Sequence, residues 1–255
     1  MRTIKEITAA LKQAEQLQPW MKELQQDERA SVQKAWLQFE KRMAKKQAVL
    51  DAHHEKCAFD ASFLPYPEAC VVGIDEAGRG PLAGPVVTAA VVLPNHCEAL
   101  VGINDSKQLS KEMRENYVAR IKEHAISYSI HFQSAEMIDT LNIYEATKQS
   151  MVESVQGLAV TPDVVLADAM TLPIDIPQHA VIKGDAKSLA IAAASILAKT
   201  ARDQYMEQLH VQFPQYGFNQ HAGYGTKQHL AALEQFGPTE HHRKSFEPIK
   251  SMIKR

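Results

Sequence analysis

The spacing of hydrophobic residues changes near residue 65, and this change predicts two regions of different structure. Before it, apolar residues recur at three- and four-residue steps, as in Ile4, Ile7 and Leu11, which is the spacing of one face of an α-helix. From residue 70 onward, short runs rich in valine and isoleucine alternate with helical patterns, as in α/β proteins. We therefore predict a helical N-terminal extension over residues 1–65 and an α/β domain over residues 66–255.

The N-terminal extension is predicted to contain two helices. Thr3 and Glu6 have the spacing of a capping box for the first helix, and Asp27 is the predicted N-cap of the second. The second helix carries an apolar stripe of Val32, Trp36, Phe39 and Met43. We expect this stripe to pack inside the protein, and a surface for a protein partner is the alternative. Pro65 and Pro67 disfavour helix in the residues before them, which sets the boundary.

Five segments of the second region have the composition of strands, and helical patterns separate or follow them. The predicted strands are residues 70–75, 85–93, 126–133, 164–167 and 179–182. Helices are predicted after residue 107 with Met113, Tyr117 and Ile121 on one face, after Asn142, from Ser188 to Leu209, and after Thr226 within a C-terminal helical segment that starts at about residue 211. The helix that starts at Ser188 begins with an almost wholly apolar run, so we expect it to be buried.

Acidic residues stand where three of these strands end. Asp75 and Glu76 follow the first strand, Asp168 closes the fourth, and Asp185 follows the fifth. Adjacent carboxylates repel one another unless they share a proton or a cation, and Mg²⁺ takes oxygen ligands of this kind. These residues favour a Mg²⁺ or Mn²⁺ site, and a polar strand terminus is the alternative that they leave open.

Three further features suit contact with a nucleotide. Gly78 and Gly80 lack a Cβ atom, so their backbone can approach a ligand closely, and Arg79 between them offers a planar charge suited to phosphate. Lys107 stands just before a helix, where phosphates often bind. Tyr224 lies between two glycines and could stack on a nucleotide or simply cover the edge of the domain.

Composition and charge limit the classes of function. The net charge of −2 does not by itself indicate nucleic acid, but residues 221–255 carry six Lys and Arg against three Asp and Glu, which is a candidate electrostatic footprint. No apolar run reaches the roughly 18–20 residues of a membrane span. The three cysteines lack the paired spacing of a disulfide framework or zinc site, so we expect a reducing, cytoplasmic location.

These motifs, in this order, closely resemble bacterial ribonuclease HII. The resemblance covers about residues 70–248 and rests on 73–80 (Gly-Ile-Asp-Glu-Ala-Gly-Arg-Gly), 104–107 (Asn-Asp-Ser-Lys), Asp168, 183–185 (Lys-Gly-Asp), 193–199 (Ala-Ala-Ser-Ile-Leu-Ala-Lys), 223–226 (Gly-Tyr-Gly-Thr) and 242–246 (His-Arg-Lys-Ser-Phe). It implies an RNase H-like α/β fold with a five-stranded mixed sheet flanked by helices.

The resemblance also implies the activity and the residues that carry it. The implied enzyme is a metal-dependent endonuclease that cuts the RNA strand of RNA–DNA hybrids and incises on the 5′ side of single ribonucleotides in duplex DNA, in replication and repair. Two Mg²⁺ or Mn²⁺ ions would be held by Asp75, Glu76, Asp168 and Asp185, which are the implied catalytic residues. The implied substrate-binding residues are Gly78, Arg79, Gly80, Asn104, Lys107, Ser195 and Tyr224. We expect a monomer, and the N-terminal helices offer a surface for a protein partner.

Three alternatives and two departures accompany this resemblance. Ribonuclease HIII carries lysine in place of Arg79 and glutamate in place of Asp185, so these two residues favour type HII. A DNA-cutting resolvase or integrase has no obvious use for the glycine-arginine-glycine turn, and a non-catalytic binding module has no need of four costly acids. The family usually has glycine where this chain has Ala169, and residues 1–65 lie outside the shared motifs.

Overall fold

The computed structural model describes residues 2–104, 106 and 109–253. Lys107 therefore lies outside the described residues, and its predicted role is not addressed by the structure. The chain forms two compact units, Met1–His54 and Glu55–Arg255, and each is considered by itself. No helix among the described residues is long and apolar enough to cross a membrane.

The first unit is a small helical core. It contains α1 (Ile4–Gln13), a 3₁₀ helix (Pro19–Gln26) and the first part of α2 (Ala30–Ala61). Thr3 and Glu6 form the predicted capping box at the start of α1. The predicted stripe of α2 packs inward, because Val32, Trp36 and Phe39 share a buried cluster with residues of α1 and the 3₁₀ helix.

Asp27 is not the N-cap of α2, which corrects the prediction. It ends the 3₁₀ helix, accepts a hydrogen bond from the Arg29 amide at 3.0 Å, and forms an ion pair with the Arg29 guanidinium. The helix begins only at Ala30. The arginine two residues further on therefore engages the carboxylate that the sequence pattern assigned to the helix start.

The second unit is built on the predicted five-stranded mixed sheet. Its strands are β1 (Val71–Ala77), β2 (Val86–Val92), β3 (Ser127–Gln133), β4 (Val164–Asp168) and β5 (Gln178–Val181). Their order across the sheet is β3-β2-β1-β4-β5. β2 is antiparallel to both β1 and β3, whereas β4 is parallel to β1 and β5 is parallel to β4.

Eight α-helices begin within the described part of the second unit, and four of them were predicted, after residue 107, Asn142, Ser188 and Thr226. They are α3 (Lys111–His124), α4 (Ala135–Leu141), α5 (Ile143–Gln156), α6 (Gly184–Lys187), α7 (Leu189–Gln212), α8 (Phe218–His221), α9 (Lys227–Phe236) and α10 (Ile249–Ile253). The side chains of Asn142, Ser188 and Thr226 cap α5, α7 and α9. On α3, Tyr117 and Ile121 are buried as predicted, but Met113, one turn before Tyr117 at the start of the helix, is exposed.

The sheet lies between two helical layers. Alternate residues of β2 point to opposite faces, so Ala89 and Val91 pack with α7 and α3 on one side, while Ala90 and Val92 pack with α5 on the other. Gly73 of β1 lets α7 approach closely, since a Cβ atom there would lie 2.2 Å from the Ala190 carbonyl carbon. The start of α7 is therefore fixed directly above β1.

The last turns of α2 belong to the core of the second unit. Phe59, Phe63 and Leu64 pack against buried residues of β1, β4, β5 and α7. Asp60 Oδ2 accepts a hydrogen bond from the Ala190 amide at 2.9 Å, which satisfies one of the free N–H groups at the start of α7. Residues 55–64, which were predicted to be part of the extension, thus also cover the α/β domain.

We predict that a fragment comprising residues 55–255 folds, whereas a fragment starting at residue 66 loses stability. The shorter fragment lacks Phe59, Phe63 and Leu64, which are only partly buried, so together they contribute about half of the roughly 1.5–3 kcal/mol that each would supply if fully buried. Urea unfolding should therefore show a loss of about 2–4 kcal/mol relative to residues 55–255. Equal stabilities for the two fragments would contradict the packing role of the end of α2.

We also predict that Asp60→Asn stabilises the protein at neutral pH. Burial raises the pKa of Asp60 from 3.8 to about 6, so its ionised form is disfavoured in the folded state and the associated loss of stability appears as the pH rises through this range. The variant keeps an oxygen acceptor for Ala190 and should gain about 1–3 kcal/mol at pH 8. The gain should shrink as the pH falls below about 6 towards 4. Thermal melts across this pH range test the prediction, with exposed Asp51→Asn in the same helix as the control; a pH-independent gain would contradict it.

Candidate active site

The sheet brings two of the predicted acids side by side. β1 and β4 are parallel, and Ile74 lies opposite Ala167, so the next residues, Asp75 and Asp168, leave neighbouring strands at the same edge. Asp185 follows in the first turn of α6, directly after β5. The Gly184 amide donates to Asp168 Oδ1 at 2.7 Å, which joins the turn carrying Asp185 to the end of β4.

All four predicted acids line one open cleft of about 430 Å³. The same cleft is lined by five of the predicted substrate-binding residues, namely Gly78, Arg79, Gly80, Ser195 and Tyr224. Asn104 is exposed and does not line the cleft, so the structure does not bring it to the site. Ser106 lines it instead.

Asp75 lies in the most demanding electrostatic position of the cleft. Burial raises its pKa well above the usual value of 3.8, and the charges of Glu76 and then Asp168 raise it further. A hydrogen bond from Ser195 and the Glu76 amide, which donates to Asp75 Oδ1 at 2.7 Å, act in the opposite direction. The charges of Glu76 and Asp168 therefore disfavour the ionised form of Asp75.

The donor set of this cleft fits hard divalent cations. Four carboxylates supply the oxygen ligands that Mg²⁺ and Mn²⁺ prefer, and a bound cation would relieve the repulsion that raises the pKa of Asp75. Among the described residues, no three acidic, histidine or cysteine side chains converge closely enough to form a complete ion site. The four carboxylates line the cleft and are the residues that would hold the ions.

Two residues beside the acids adopt left-handed backbone conformations. Ala169 has φ 49° and Lys183 has φ 56°, a region that costs a residue with a Cβ atom about 1–2 kcal/mol. The Ala169 amide donates to the Val181 carbonyl at 3.1 Å, which holds the chain in this turn behind Asp168. The family usually has glycine at this position, and glycine would adopt this conformation without the steric cost. Ala169 therefore makes the turn behind Asp168 less favourable than glycine would.

Two contacts of the acids were not predicted from the sequence. The Lys56 ammonium donates to the Asp185 carbonyl oxygen at 2.7 Å, so the end of α2 reaches the turn that carries the fourth acid. Ser106 and Ser195 are buried with their hydroxyl oxygens 3.1 Å apart, which connects the loop before α3 to Asp75 through Ser195. Both contacts join residues about 90–130 positions apart, and no local sequence pattern reports such pairs.

The glycine-arginine-glycine turn and Tyr224 form one wall of the cleft. The Arg79 guanidinium lies 3.5 Å from Glu76 Oε1, beside the acids. A Cβ atom on Gly80 would lie 3.6 Å from Tyr224 Cε1, so the tyrosine ring stands next to the turn. Tyr224 is half exposed, which leaves ring surface open to a ligand.

Comparison with known proteins assigns the chain to a family. The family model described as Ribonuclease HII matches residues 72–249, and the model of the Ribonuclease HII N-terminal domain matches residues 3–64. The chain belongs to the ribonuclease HII family. It is 47% identical to Ribonuclease HII of Halalkalibacterium halodurans over 97% of this chain and 95% of that protein. It is 50% identical to Ribonuclease HII of Bacillus mycoides over 91% of this chain and 90% of the relative.

Solved structures agree with the fold. The ribonuclease H2 of Pyrococcus horikoshii superposes with a TM-score of 0.64 at 27% identity and covers 73% of this chain and 98% of that chain. A ribonuclease HIII solved in complex with Mn²⁺ gives a TM-score of 0.56 at 20% identity, over 80% of this chain and 72% of that one, and supports the fold alone. Membership of the ribonuclease HII family makes the protein a metal-dependent ribonuclease H, an endonuclease that hydrolyses RNA in RNA–DNA hybrids.

We predict that Asp75→Asn lowers the cleavage rate of an RNA–DNA hybrid by on the order of a thousandfold, because loss of a metal-ligating charge removes several kcal/mol of transition-state stabilisation. Without metal the variant should melt at a higher temperature than the wild type, because the ionised form of Asp75 is disfavoured in the folded state.

The matched control is Asp175→Asn, which makes the same change at an exposed position outside the cleft. It should leave both the rate and the melting temperature unchanged. Normal turnover by Asp75→Asn, or a large drop in its melting temperature, would argue against the metal-site assignment.

Proposed function

We propose that this ribonuclease H incises duplex DNA on the 5′ side of a single embedded ribonucleotide and so initiates removal of ribonucleotides left by replication. Hydrolysis adds a water oxygen to the scissile phosphorus and breaks its bond to the 3′ oxygen of the preceding nucleotide. The products are a 3′-hydroxyl end and a ribonucleotide that keeps its 5′-phosphate. Asp75, Glu76, Asp168 and Asp185 are the proposed catalytic residues.

The observation that carries this proposal is the position of the 78–80 turn and Tyr224 against the acidic cleft. A nuclease that acts at one ribonucleotide must sense one 2′-hydroxyl group beside the scissile phosphate. Backbone groups at glycines can approach a sugar closely, and an aromatic ring beside them can pack on the neighbouring nucleotide. Both features lie next to the acids that would hold the metal ions.

Each group of the cleft has a separate part in the proposed reaction. The four carboxylates would hold two divalent ions, which supply an activated water and stabilise the departing oxygen when they are bound. The Glu76 amide orients the Asp75 carboxylate through its hydrogen bond at 2.7 Å. Arg79, which lies on the cleft wall, would bind a phosphate of the cleaved strand, and Ser195 would keep Asp75 in place.

The alternative is an enzyme of the HIII type that needs several consecutive ribonucleotides. Arg79 and Asp185 favour type HII, because the resemblance places lysine and glutamate at these positions in type HIII. The matches to curated relatives support the same choice, since those relatives are named Ribonuclease HII and span nearly the whole chain.

Four further properties remain predictions. The ion is Mg²⁺ or Mn²⁺, and the carboxylate donor set accepts either. We expect a monomer. The three free cysteines suit a reducing compartment such as the cytoplasm. A protein partner is supported by the solved complex of RNase HII and PCNA from Archaeoglobus fulgidus. This chain is 26% identical to the matched chain of that structure, with a TM-score of 0.59 over 70% of this chain and 95% of that one. The N-terminal helices remain the predicted docking surface.

The wild-type enzyme should cut a DNA duplex carrying one ribonucleotide at a single position, with a 3′-hydroxyl at the new end. Tyr224→Ala should lower kcat/KM on this duplex by a factor that corresponds to about 1–3 kcal/mol of transition-state free energy, the range for aromatic contacts to a base. It should have a smaller effect on a long RNA–DNA hybrid, where many registers of binding are available. Product mapping on a sequencing gel and steady-state kinetics on both substrates measure these outcomes.

The matched control is Tyr144→Ala, since Tyr144 is 47% exposed and Tyr224 is 50% exposed, but Tyr144 lies outside the cleft. Equal losses of kcat/KM on the two substrates would show that Tyr224 has no special part in recognising a single ribonucleotide in DNA. A wild-type enzyme that cuts only runs of several ribonucleotides would instead support the HIII alternative.

A further inference from the structure

Two buried arginines lie behind the glycine-arginine-glycine turn. Arg202 on α7 is 2% exposed, and Arg243 in the C-terminal segment is 0% exposed. In the part of the chain that the structure describes, neither forms an ion pair with a carboxylate. Their hydrogen bonds go instead to backbone carbonyl groups, which is an unusual use of two buried charges.

Arg243 binds both ends of the loop that follows β1. Its Nη2 atom donates to the Gly78 carbonyl at 2.6 Å, and its Nη1 atom donates to the Arg79 carbonyl at 2.8 Å. Its Nε and Nη2 atoms also reach the Gly84 carbonyl at 3.1 and 2.9 Å. The planar guanidinium therefore fixes the peptide groups of the turn relative to the start of β2.

Arg202 supports the same loop from α7. It donates to the carbonyl oxygens of Ala83, Pro85 and Ala222 at 3.0–3.1 Å, and Ala222 lies two residues before Tyr224. Its side chain runs directly beneath Gly78, where φ is +95° and a Cβ atom would lie 1.9 Å from Arg202 Nε. Only glycine fits at this position.

The direction of the carbonyl groups determines the direction of the neighbouring N–H groups. The bonds Gly78–Arg79 and Arg79–Gly80 are trans, since the cis bond in the described chain is Glu247–Pro248, and a trans peptide directs its C=O and N–H to opposite sides. With both carbonyl groups bound to Arg243, the N–H groups of Arg79 and Gly80 point away from it. Arg243 does not line the cleft, whereas Arg79 and Gly80 do, so these N–H groups face the cleft. Within the described residues they donate to no other protein group.

We propose that Arg243, supported by Arg202, is a positioning residue for ribonucleotide recognition. By binding the carbonyl groups of Gly78 and Arg79, it presents the N–H groups of Arg79 and Gly80 as a preset pair of donors to the 2′-hydroxyl oxygen. This inference rests on the proposed function of the 78–80 turn, and it identifies the residue that sets the geometry of that turn.

Arginine suits this position for a geometric reason. A guanidinium carries five N–H donors in one rigid plane and can bind three carbonyl groups at fixed angles. Lysine keeps the charge, but it is a compact group on a flexible stem and cannot reproduce the planar fork. Arg243→Lys therefore removes the positioning while it retains a buried cation, and this makes it the informative variant.

The experiment compares two constants in one steady-state assay with Mg²⁺. The first is the KM for a DNA duplex carrying one ribonucleotide, and the second is the inhibition constant Ki of the same duplex without the ribonucleotide. In Arg243→Lys we expect the ratio Ki/KM to fall about tenfold through a rise in KM, because loss of one good hydrogen bond to the 2′ oxygen is of this order. The Ki of the all-DNA duplex should stay within about twofold of the wild-type value, since its phosphate contacts remain.

Tyr216→Phe is the control for a merely structural effect. Tyr216 is buried in the cluster formed with the C-terminal segment, and its hydroxyl donates to the Gly237 carbonyl at 2.6 Å. Among the described residues it forms no hydrogen bond with the turn and does not line the cleft. This variant should melt at a lower temperature with an unchanged Ki/KM ratio. If folded Arg243→Lys likewise shows only a lower kcat and a wild-type ratio, the positioning role is overturned. Should Arg243→Lys not fold, Arg202→Lys decides in the same assay, with a smaller fall of the ratio expected and an unchanged ratio contradicting the proposal.

A measurement without substrate separates this inference from the proposed function. If the wild-type enzyme does not distinguish the two duplexes, the proposed function fails. The positioning of the 78–80 turn by Arg243 is then judged by NMR alone. The backbone order parameters of the Arg79 and Gly80 N–H groups should fall in Arg243→Lys and stay at wild-type values in Tyr216→Phe. Unchanged order parameters in Arg243→Lys would show that Arg243 does not position the turn, and would overturn the inference.

Discussion

The parallel pairing of β1 with β4 is the constraint on which the rest of the structure depends. It places Asp75 and Asp168 at the ends of adjacent strands, although 93 positions separate them in the chain. The crossover needed for parallel strands also carries β2, β3 and the helices that bury both faces of the sheet. The same register directs Asp185 to the cleft, because β5 continues the parallel part of the sheet beside β4.

Acidic and basic side chains both surround the 78–80 turn. On the cleft side, burial and neighbouring carboxylates raise the pKa of Asp75. Burial also lowers the pKa of Arg202, which lines the cleft as well, to about 10, and that of Arg243, which does not line it, to about 9, so both stay charged near neutral pH. Hydrogen bonds to backbone carbonyl groups stabilise these cations, and the charges of Asp203 and Asp139 favour the ionised forms of Arg202 and Arg243 without an ion pair among the described residues. Within the described ranges of the chain, the four acids form no ion pair with these two arginines, and the arginines bind the backbone of the turn that lines the cleft.

Segments from both ends of the chain complete the site from outside the sheet. Lys56 and Asp60, near the end of α2, bind the turn of Asp185 and the start of α7. Arg243 reaches the turn after β1 from near the C-terminus, and Ser195 of α7 contacts Asp75. The edge of the sheet that carries the acids is thus stabilised by elements whose own sequence patterns show only an amphipathic helix or a basic segment.

The sequence by itself determined the strands, most helix caps and the four acids, because apolar period, cap chemistry and strand-end carboxylates are local signals. Membership of the family, inferred from motifs in order, is supported by the comparisons. Only the tertiary structure decided that Asp27 pairs with Arg29 and does not cap α2, that Ser106 and not Asn104 lines the cleft, and that residues 55–64 cover the α/β core. Each of these outcomes depends on which distant or competing groups meet in space, and a buried charge such as Arg243 finds its carbonyl partners only after the chain has folded.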